Sequence, residues 1–153
     1  MNLNKLQDEI ELDEGFKLEI YLDHLGLPTC GIGHLIKEGD EESGSPVGTK
    51  VSYERCGQLF EQDMNISIDD CKKVYDDWDK LPEEVQHICA NMMFNLGYPR
   101  YNKFKKKIQA VKDGNWLEAA VQMKDSRWYK QVPNRAGRLI NRMKAVGTSI
   151  NEN

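Results

Sequence analysis

The sequence predicts an α+β fold with a small N-terminal antiparallel sheet lobe, a larger C-terminal helical lobe and a long helix that joins them. Short extended apolar runs occupy residues 16–34, and apolar residues recur every three or four positions after residue 52. A polar segment separates the two patterns. A length of 153 residues suits one domain over 1–153, with the sheet lobe at about 14–51 and the helical lobe at about 52–150 plus the N-terminal helix. We expect a ligand site in a cleft between the lobes.

The first elements are a helix and a hairpin. Leu3, Leu6 and Ile10 recur at helical spacing, Asn2 or Asn4 is available as a cap, and Gly15 is placed to end the helix just after Glu14. The runs FKLEIYLD and LPTCGIGH then follow, separated by the turn-like DHLG. This pattern predicts a β-hairpin or small antiparallel sheet.

Residues 37–50 are rich in Gly, Ser and acids without apolar periodicity, which predicts an exposed loop. Ser52 is a plausible N-cap for a long helix that carries both Cys56 and Cys71. A further helix is expected from Leu81-Pro82 to Gly97. The remaining helices are predicted over 103–112, 116–130 and 133–146, with Gly147 as a stop signal.

Composition excludes several classes of protein. No apolar run reaches the roughly 20 residues of a membrane span, and the acidic N-terminal segment does not look like a signal peptide, so we expect synthesis in the cytoplasm and no stable membrane insertion. The four cysteines form no C-x-x-C pair, which favours free thiols over a metal or redox site. No metal and no cofactor is expected.

Charge is distributed unevenly along the chain. Residues 1–99 carry 8 Lys/Arg and 21 Asp/Glu, whereas residues 100–153 carry 13 Lys/Arg and 4 Asp/Glu. A basic lobe suggests an anionic polymer as partner, and both nucleic acid and bacterial wall fit that description. A solvated helical face without a specific partner fits equally well.

The chemical signal lies in two motifs near the N-terminus. Hydrolysis of a glycosidic bond needs one carboxylic acid to protonate the leaving oxygen and a second carboxyl group on the other face. With 25 acids in the chain, the pair Glu14 and Asp23 would prove nothing by itself. However, the segment DEGFKLEIYLD followed by TCGIGHL resembles the signature of the phage-type lysozymes, glycoside hydrolase family 24. Glu14, Asp23 and Thr29 stand at the intervals of nine and six residues that this family shows.

The resemblance covers nearly the whole chain. Four later segments match the family in the same order, and they are LFEQD at 59–63, ANMMFNLG at 90–97, WLEAAV at 116–121 and SRWYKQVPNRA at 126–136. The implied activity is that of a muramidase or endolysin that cuts the β-1,4 bond between N-acetylmuramic acid and N-acetylglucosamine in peptidoglycan, with inversion at the anomeric centre. The T-even phage enzyme shows a similar pattern.

The resemblance implies roles for individual residues. Glu14 would be the general acid, kept protonated by apolar surroundings, Asp23 would stay ionised as the opposing carboxylate, and the Thr29 hydroxyl would hold the water. Arg135 would orient the Glu14 carboxyl group, and His34 and Asp63 would form a structural ion pair. Leu35 and Phe94 would bind saccharide. Lys107 and Gln122 differ from the family at two further saccharide positions, so no contact is assigned to them.

The resemblance also implies a biological setting. The enzyme would be a monomer whose substrate is peptidoglycan, made in the host cytoplasm and acting on the wall in the periplasm after a holin permeabilises the membrane. Two other functions remain open. The first is a protein that binds glycan without cutting it, but such a protein would not need Glu14, Asp23 and Thr29 intact. The second is a nucleic-acid binder that uses the KFKKK run at 103–107, but the sequence contains no base-reading motif.

Overall fold

A computed structural model describes residues 1–152 of the chain. It has a small three-stranded antiparallel sheet near the N-terminus and is mostly helical afterwards, which confirms the predicted α+β class. The chain divides into two compact units, residues 2–66 and residues 67–153 with Met1. We call them the N-terminal unit and the C-terminal unit.

The N-terminal unit begins with helix α1, Leu3–Glu14. The Asn2 side chain accepts a hydrogen bond from the Lys5 amide at 3.1 Å, so Asn2 is the N-cap. Gly15 ends the helix as predicted, with its amide donating to the Glu11 carbonyl at 2.9 Å. Glu14 is therefore the last helical residue.

Three strands follow, β1 (Lys17–Leu22), β2 (Pro28–Gly31) and β3 (His34–Leu35), in the sheet order β1-β2-β3. Tyr21 pairs with Thr29, and Cys30 pairs with His34. The turn between β1 and β2 is the predicted one. A small core of the unit is formed by buried apolar side chains from the sheet, the end of the loop and the next helix, and these are Ile20, Cys30, Val51, Cys56 and Leu59.

The loop at 36–52 contains no helix or named strand within the part of the chain that the structure describes. Its end runs along β1, because the Ile20 amide donates to Thr49 and the Val51 amide donates to Leu18. Most of its side chains are exposed, as predicted. Glu42 is buried instead, and it accepts two hydrogen bonds from Arg55 at 2.9 and 3.0 Å.

Helix α2, Tyr53–Val74, contains both Cys56 and Cys71 as predicted. Ser52 caps it, since its hydroxyl accepts a hydrogen bond from the Arg55 amide at 3.1 Å. The boundary between the two units falls within this helix, after residue 66. All four cysteines are buried free thiols, which confirms that prediction.

Within the described residues, the C-terminal unit contains the rest of α2, a 3-10 turn at Trp78–Lys80 and six further helices. These helices are α3 (Glu83–Leu96), α4 (Tyr98–Tyr101), α5 (Lys105–Lys112), α6 (Trp116–Lys124), α7 (Arg127–Gln131) and α8 (Pro133–Glu152). Helix α8 packs against α6, α3 and α7, and α5 packs against α6. Their buried apolar faces form the core of this unit.

Two predictions about these helices were wrong. The single helix expected over 116–130 is interrupted, because Ser126 turns to an extended conformation and caps α7 by accepting the Tyr129 amide. Gly147 does not end α8. A Cβ atom at Gly147 would lie 2.8 Å from the Leu117 side chain, so the glycine lets α8 approach α6 closely.

Two further observations concern the part of the chain that the structure describes. No helix there combines the length and the apolar character that crossing a membrane requires. Among the same residues, no group of three or more His, Cys, Asp and Glu side chains is arranged to hold a metal ion.

Candidate active site

Glu14 is positioned by the end of α1 and by the glycines of the GIGH motif. Its side chain is half-buried. Gly33 has a φ angle of 62°, in the left-handed region, and a Cβ atom at this position would lie 2.5 Å from Glu14 Oε2. The Glu14 carboxylate therefore lies directly against the backbone of Gly33, and only glycine leaves room for it there.

Asp23 is held by the turn that follows β1. Its Oδ1 atom accepts hydrogen bonds from the amides of Leu25 at 2.8 Å and Leu27 at 2.9 Å. The Asp23 amide itself donates to the Leu27 carbonyl at 2.9 Å. Within residues 1–152, no hydrogen bond occupies Oδ2. The turn thus fixes the carboxylate through one oxygen and leaves the other available.

Thr29 lies on β2, where the turn ends, and only 4% of its surface is exposed. Its hydroxyl group donates a hydrogen bond to the Leu27 carbonyl at 3.0 Å. Asp23 and Thr29 are therefore both hydrogen-bonded to Leu27. Because the hydroxyl proton is engaged, the Thr29 oxygen can take part in a further hydrogen bond only as an acceptor.

Tyr21 is a neighbour of both carboxylates that sequence reasoning missed. Burial, followed by the nearby charges of Glu14 and Asp23, raises the pKa of the Tyr21 phenol above its usual value. The phenol therefore stays neutral, and Lys17 Nζ lies 4.3 Å from the centre of its ring. The position of Tyr21 between two acids in the EIYLD run was the sequence signal that could have identified this residue.

His34 forms the predicted contact with Asp63, at 2.6 Å from Nδ1 to Oδ2. A second carboxylate also contacts the ring, because Asp40 Oδ2 lies 2.9 Å from Nε2. Burial alone would lower the pKa of His34, but the hydrogen bonds and charges of Asp63 and Asp40 outweigh it and raise the pKa. Sequence reasoning missed Asp40 because it lies in the polar loop at 37–50.

The remaining predicted residues are divided between the two units. Leu35 lies on β3 in the N-terminal unit and is 48% exposed, whereas Phe94 lies on α3 in the C-terminal unit and is half-buried. Arg135, in α8, is buried, and its Nε atom donates to Asn91 Oδ1 at 2.9 Å. The saccharide contacts of Leu35 and Phe94 and the role of Arg135 stay predictions.

Lys107 is fully buried, although it belongs to a run of lysines. Its Nζ atom donates hydrogen bonds to the Tyr101 hydroxyl, to the Tyr75 hydroxyl at 3.2 Å and to Cys89 Sγ at 3.4 Å. The two hydroxyl groups are also hydrogen-bonded to each other, at 2.7 Å. No carboxylate of the described residues lies within 4.0 Å of this ammonium group. Lys107 therefore belongs to the core of the C-terminal unit.

The comparisons with known proteins agree with the motif. The family model described as phage lysozyme matches residues 11–145. A probable T4-type lysozyme 2 of Dictyostelium discoideum is 31% identical, over 90% of this chain and 92% of the relative. The pre-baseplate central spike protein Gp5 of Enterobacteria phage T4 is 31% identical over 88% of this chain, which covers 26% of the spike protein.

A third relative, the peptidoglycan hydrolase gp36 of Pseudomonas phage phiKMV, is 30% identical over 88% of this chain and 14% of its own length. The match to the family model begins before Glu14 and ends after Arg135, so it includes every predicted site residue. The chain therefore belongs to the phage lysozyme family, glycoside hydrolase family 24, and is a glycoside hydrolase.

Proposed function

We propose that this lysozyme hydrolyses the β-1,4 bond between N-acetylmuramic acid and N-acetylglucosamine in bacterial peptidoglycan, with Glu14, Asp23 and Thr29 as catalytic residues. The observation that carries the proposal is the arrangement of these side chains in the N-terminal unit. Glu14 and Asp23 are both close to Tyr21. The Asp23 carboxylate accepts a hydrogen bond from the Leu27 amide, and the Thr29 hydroxyl donates one to the Leu27 carbonyl. The name of the phiKMV relative supports peptidoglycan as substrate.

Glu14 is proposed as the general acid. It would donate its proton to the glycosidic oxygen while the C–O bond breaks, so that the leaving sugar departs as a neutral alcohol. The contact with Gly33 supports this role, because a carboxyl group packed against backbone has little freedom to turn away.

Asp23 and Thr29 are proposed to act on the attacking water. Oδ1 of Asp23 is occupied by two amides, so Oδ2 would accept the proton of the water. The Thr29 oxygen would accept a hydrogen bond from the same water, because its own proton is donated to Leu27. Attack from the face opposite the leaving group would invert the anomeric centre.

The test is hydrolysis of defined peptidoglycan, with identification of the new reducing ends and of their initial anomer. Muramic acid at the new reducing ends, formed first as the α anomer, is the expected result. Glu14→Gln should fold normally, and its rate of hydrolysis should fall about 10²- to 10⁴-fold, which is the usual contribution of general acid catalysis. Glu11→Gln, an exposed acid on the same helix, is the matched control and should keep the parental rate.

Asp23→Asn tests the second carboxylate. Asparagine can still accept the two amide hydrogen bonds through its oxygen, so the turn should survive while the basicity at the second position is lost. Parental rates in either variant, or new reducing ends on glucosamine, would contradict the assignment.

We also propose that the protein is monomeric, and that it reaches the wall of a host cell through a membrane opened by a holin. Abrupt lysis on expression without a permeabilising protein would contradict the holin step.

A further inference from the structure

Tyr21 belongs to a row of three side chains that crosses the sheet. Tyr21 on β1 pairs with Thr29 on β2, and Thr29 pairs in turn with Leu35 on β3. Paired residues of antiparallel strands point to the same face of a sheet, and their Cβ atoms lie about 5 Å apart. Two members of this row, Thr29 and Leu35, already have predicted roles in the reaction. Tyr21 is the third member, and no role has been assigned to it.

The same face of the sheet also carries Asp23. The hydrogen bond from the Asp23 amide to the Leu27 carbonyl continues the register of β1 and β2 beyond their last paired residues. Because side chains alternate between the two faces of a strand, Asp23 lies on the same face as Tyr21, two residues earlier. The register shifts between Lys17 and Tyr21, and irregularities of this kind turn side chains near active sites.

The hydroxyl group of Tyr21 is available for a further contact. Among the described residues it has no hydrogen-bond partner, although the side chain is half-buried. The Lys17 ammonium group lies 4.3 Å from the centre of the phenol ring, and this cation–π contact favours one position of the ring. Burial, followed by the charges of Glu14 and Asp23, raises the pKa of the phenol, so the group keeps its proton and remains a donor.

The charges of the two carboxyl groups change in opposite directions during the proposed reaction. Glu14 gives its proton to the glycosidic oxygen, which takes the electron pair of the breaking C–O bond, so Glu14 becomes negative. Asp23 takes a proton from the water whose oxygen bonds to the anomeric carbon, so Asp23 becomes neutral. A neutral donor that lies near both groups therefore stabilises the transition state only through Glu14.

We propose that Tyr21 is a positioning residue for the general acid, and that its hydroxyl group donates a hydrogen bond to the Glu14 carboxylate as negative charge develops there. The phenol proton stays on Tyr21 throughout. The inference rests on the proposed function, because it requires Glu14 to be the acid. Hydrogen bonds between catalytic groups often shorten only in the complex with substrate, which agrees with a hydroxyl group that has no partner among the described residues of the free enzyme.

Tyr21→Phe removes the hydroxyl group and keeps the ring. On soluble peptidoglycan strands, kcat should fall about tenfold, the usual effect of one hydrogen bond to a charged group, whereas KM should stay within about twofold, because the bond forms only as charge develops. Tyr98→Phe is the matched control, since Tyr98 is also half-buried and the Lys73 ammonium group lies 5.5 Å from its ring centre. The kcat of this control should stay within about twofold of the parent.

Three results would overturn the inference. The first is a parental kcat in Tyr21→Phe. The second is a raised KM with an unchanged kcat, which would make the hydroxyl group a contact of the bound substrate instead. The third is a lower melting temperature that accounts for the loss of activity. Thermal unfolding should be unchanged, because the hydroxyl group makes no hydrogen bond with the described residues.

A double-mutant cycle identifies the carboxyl group through which Tyr21 acts. Tyr21→Phe is combined with Glu14→Gln, whose amide develops no charge, and separately with Asp23→Asn. Loss of the hydroxyl group should cost less than about twofold in the Glu14→Gln background and about tenfold in the Asp23→Asn background, because only coupled residues depart from additivity. Release of radiolabelled fragments over long incubations measures these residual rates. Tenfold losses in both backgrounds, or the reverse pattern, would overturn the assignment to Glu14.

The same variants separate this inference from the proposed function. A parental rate in Glu14→Gln alone would remove the general acid, and the proposed function would fail whatever Tyr21 does. A large loss of rate in Glu14→Gln together with a parental rate in Tyr21→Phe would overturn only the inference about Tyr21.

Discussion

The N-terminal and C-terminal units use charged side chains in different ways. In the N-terminal unit, the buried ring of His34 lies between Asp40 and Asp63, and Glu42 accepts two hydrogen bonds from Arg55. In the C-terminal unit, five exposed cations have no carboxylate within 4.0 Å among the described residues, and these are Arg100, Lys103, Lys105, Lys106 and Arg127. Charges that already have partners stabilise a local structure, whereas charges without partners are available to a ligand.

The sequence composition of the two units reinforces this contrast. Residues 2–66 carry 5 Lys/Arg and 14 Asp/Glu, so acids outnumber the cations that could form ion pairs with them. Residues 67–153 carry 16 Lys/Arg and 11 Asp/Glu, which leaves cations in excess. Lys107, a fully buried cation of this unit, is surrounded by hydroxyl and thiol groups rather than by acids. Substitutions of charged residues in the two units should therefore differ in their effects.

Asp63→Ala should destabilise the protein most. It leaves the buried His34 ring without its partner at Nδ1, and removal of one member of a buried ion pair costs about 3 kcal/mol. Urea unfolding monitored by circular dichroism measures the change. Glu61→Ala, an exposed acid on the same helix, is the control and should cost less than about 0.5 kcal/mol. Equal effects of the two substitutions would show that the His34 contacts do not stabilise the unit.

Gly33→Ala should reduce hydrolysis about 100-fold, since a shift of about 1 Å in a catalytic group can have that effect. The new methyl group would overlap the Glu14 carboxylate. Gly44→Ala is a matched control, because Gly44 has a φ angle of 83° but no atom within 4 Å of the position of its Cβ. Both substitutions should lower stability by about 1 to 2 kcal/mol through backbone strain, but only Gly33→Ala should lower the rate of the folded enzyme. A similar loss of rate in both variants would contradict the role of the Glu14 contact.

Stability should also change with pH in a direction set by the His34 ion pairs. The pKa of His34 is raised above 6.5 in the folded protein, so its contribution is complete below pH 6.5 and is lost as pH rises through the raised value. For Asp40, burial opposes ionisation, but the hydrogen bonds from His34 and the Lys37 amide lower its pKa below 3.8. Its contribution is complete above pH 3.8 and is lost as pH falls through the lowered value.

Urea unfolding at a series of pH values checks both signs. The free energy of unfolding should decline on the alkaline side in the parent, and the decline should be smaller in His34→Gln. Parallel pH profiles for the two proteins would assign the dependence to other groups.

Lys107→Met should have the smallest effect, within about 1 kcal/mol of the parent. Replacing a buried charge with an apolar side chain of similar length is often neutral or stabilising, and the hydrogen bond between Tyr75 and Tyr101 remains. Thermal unfolding measures the change, with the exposed Lys106→Met as control. A loss of about 3 kcal/mol would show that the buried ammonium group holds the Tyr and Cys side chains together, as the carboxylates hold His34.

Local sequence patterns predicted much of the N-terminal unit correctly. Gly15 ends α1, the DHLG turn joins β1 to β2, and Ser52 caps α2, because each of these features depends on residues within about four positions of one another. The spacing of Glu14, Asp23 and Thr29 likewise indicated the family from the sequence alone. These signals are short in range and therefore readable from the chain.

Contacts between distant segments could be decided only by the tertiary structure. Asp40 lies in a polar loop that predicted exposure, yet it contacts His34, and Lys107 lies in a lysine run yet is fully buried. Gly147 resembled a helix stop, but it lies within α8, where the absence of a Cβ atom leaves room for the Leu117 side chain of α6. In each case, the environment of the side chain comes from residues that are distant in sequence. The free energy of packing and hydrogen bonding with those residues outweighs the local preference.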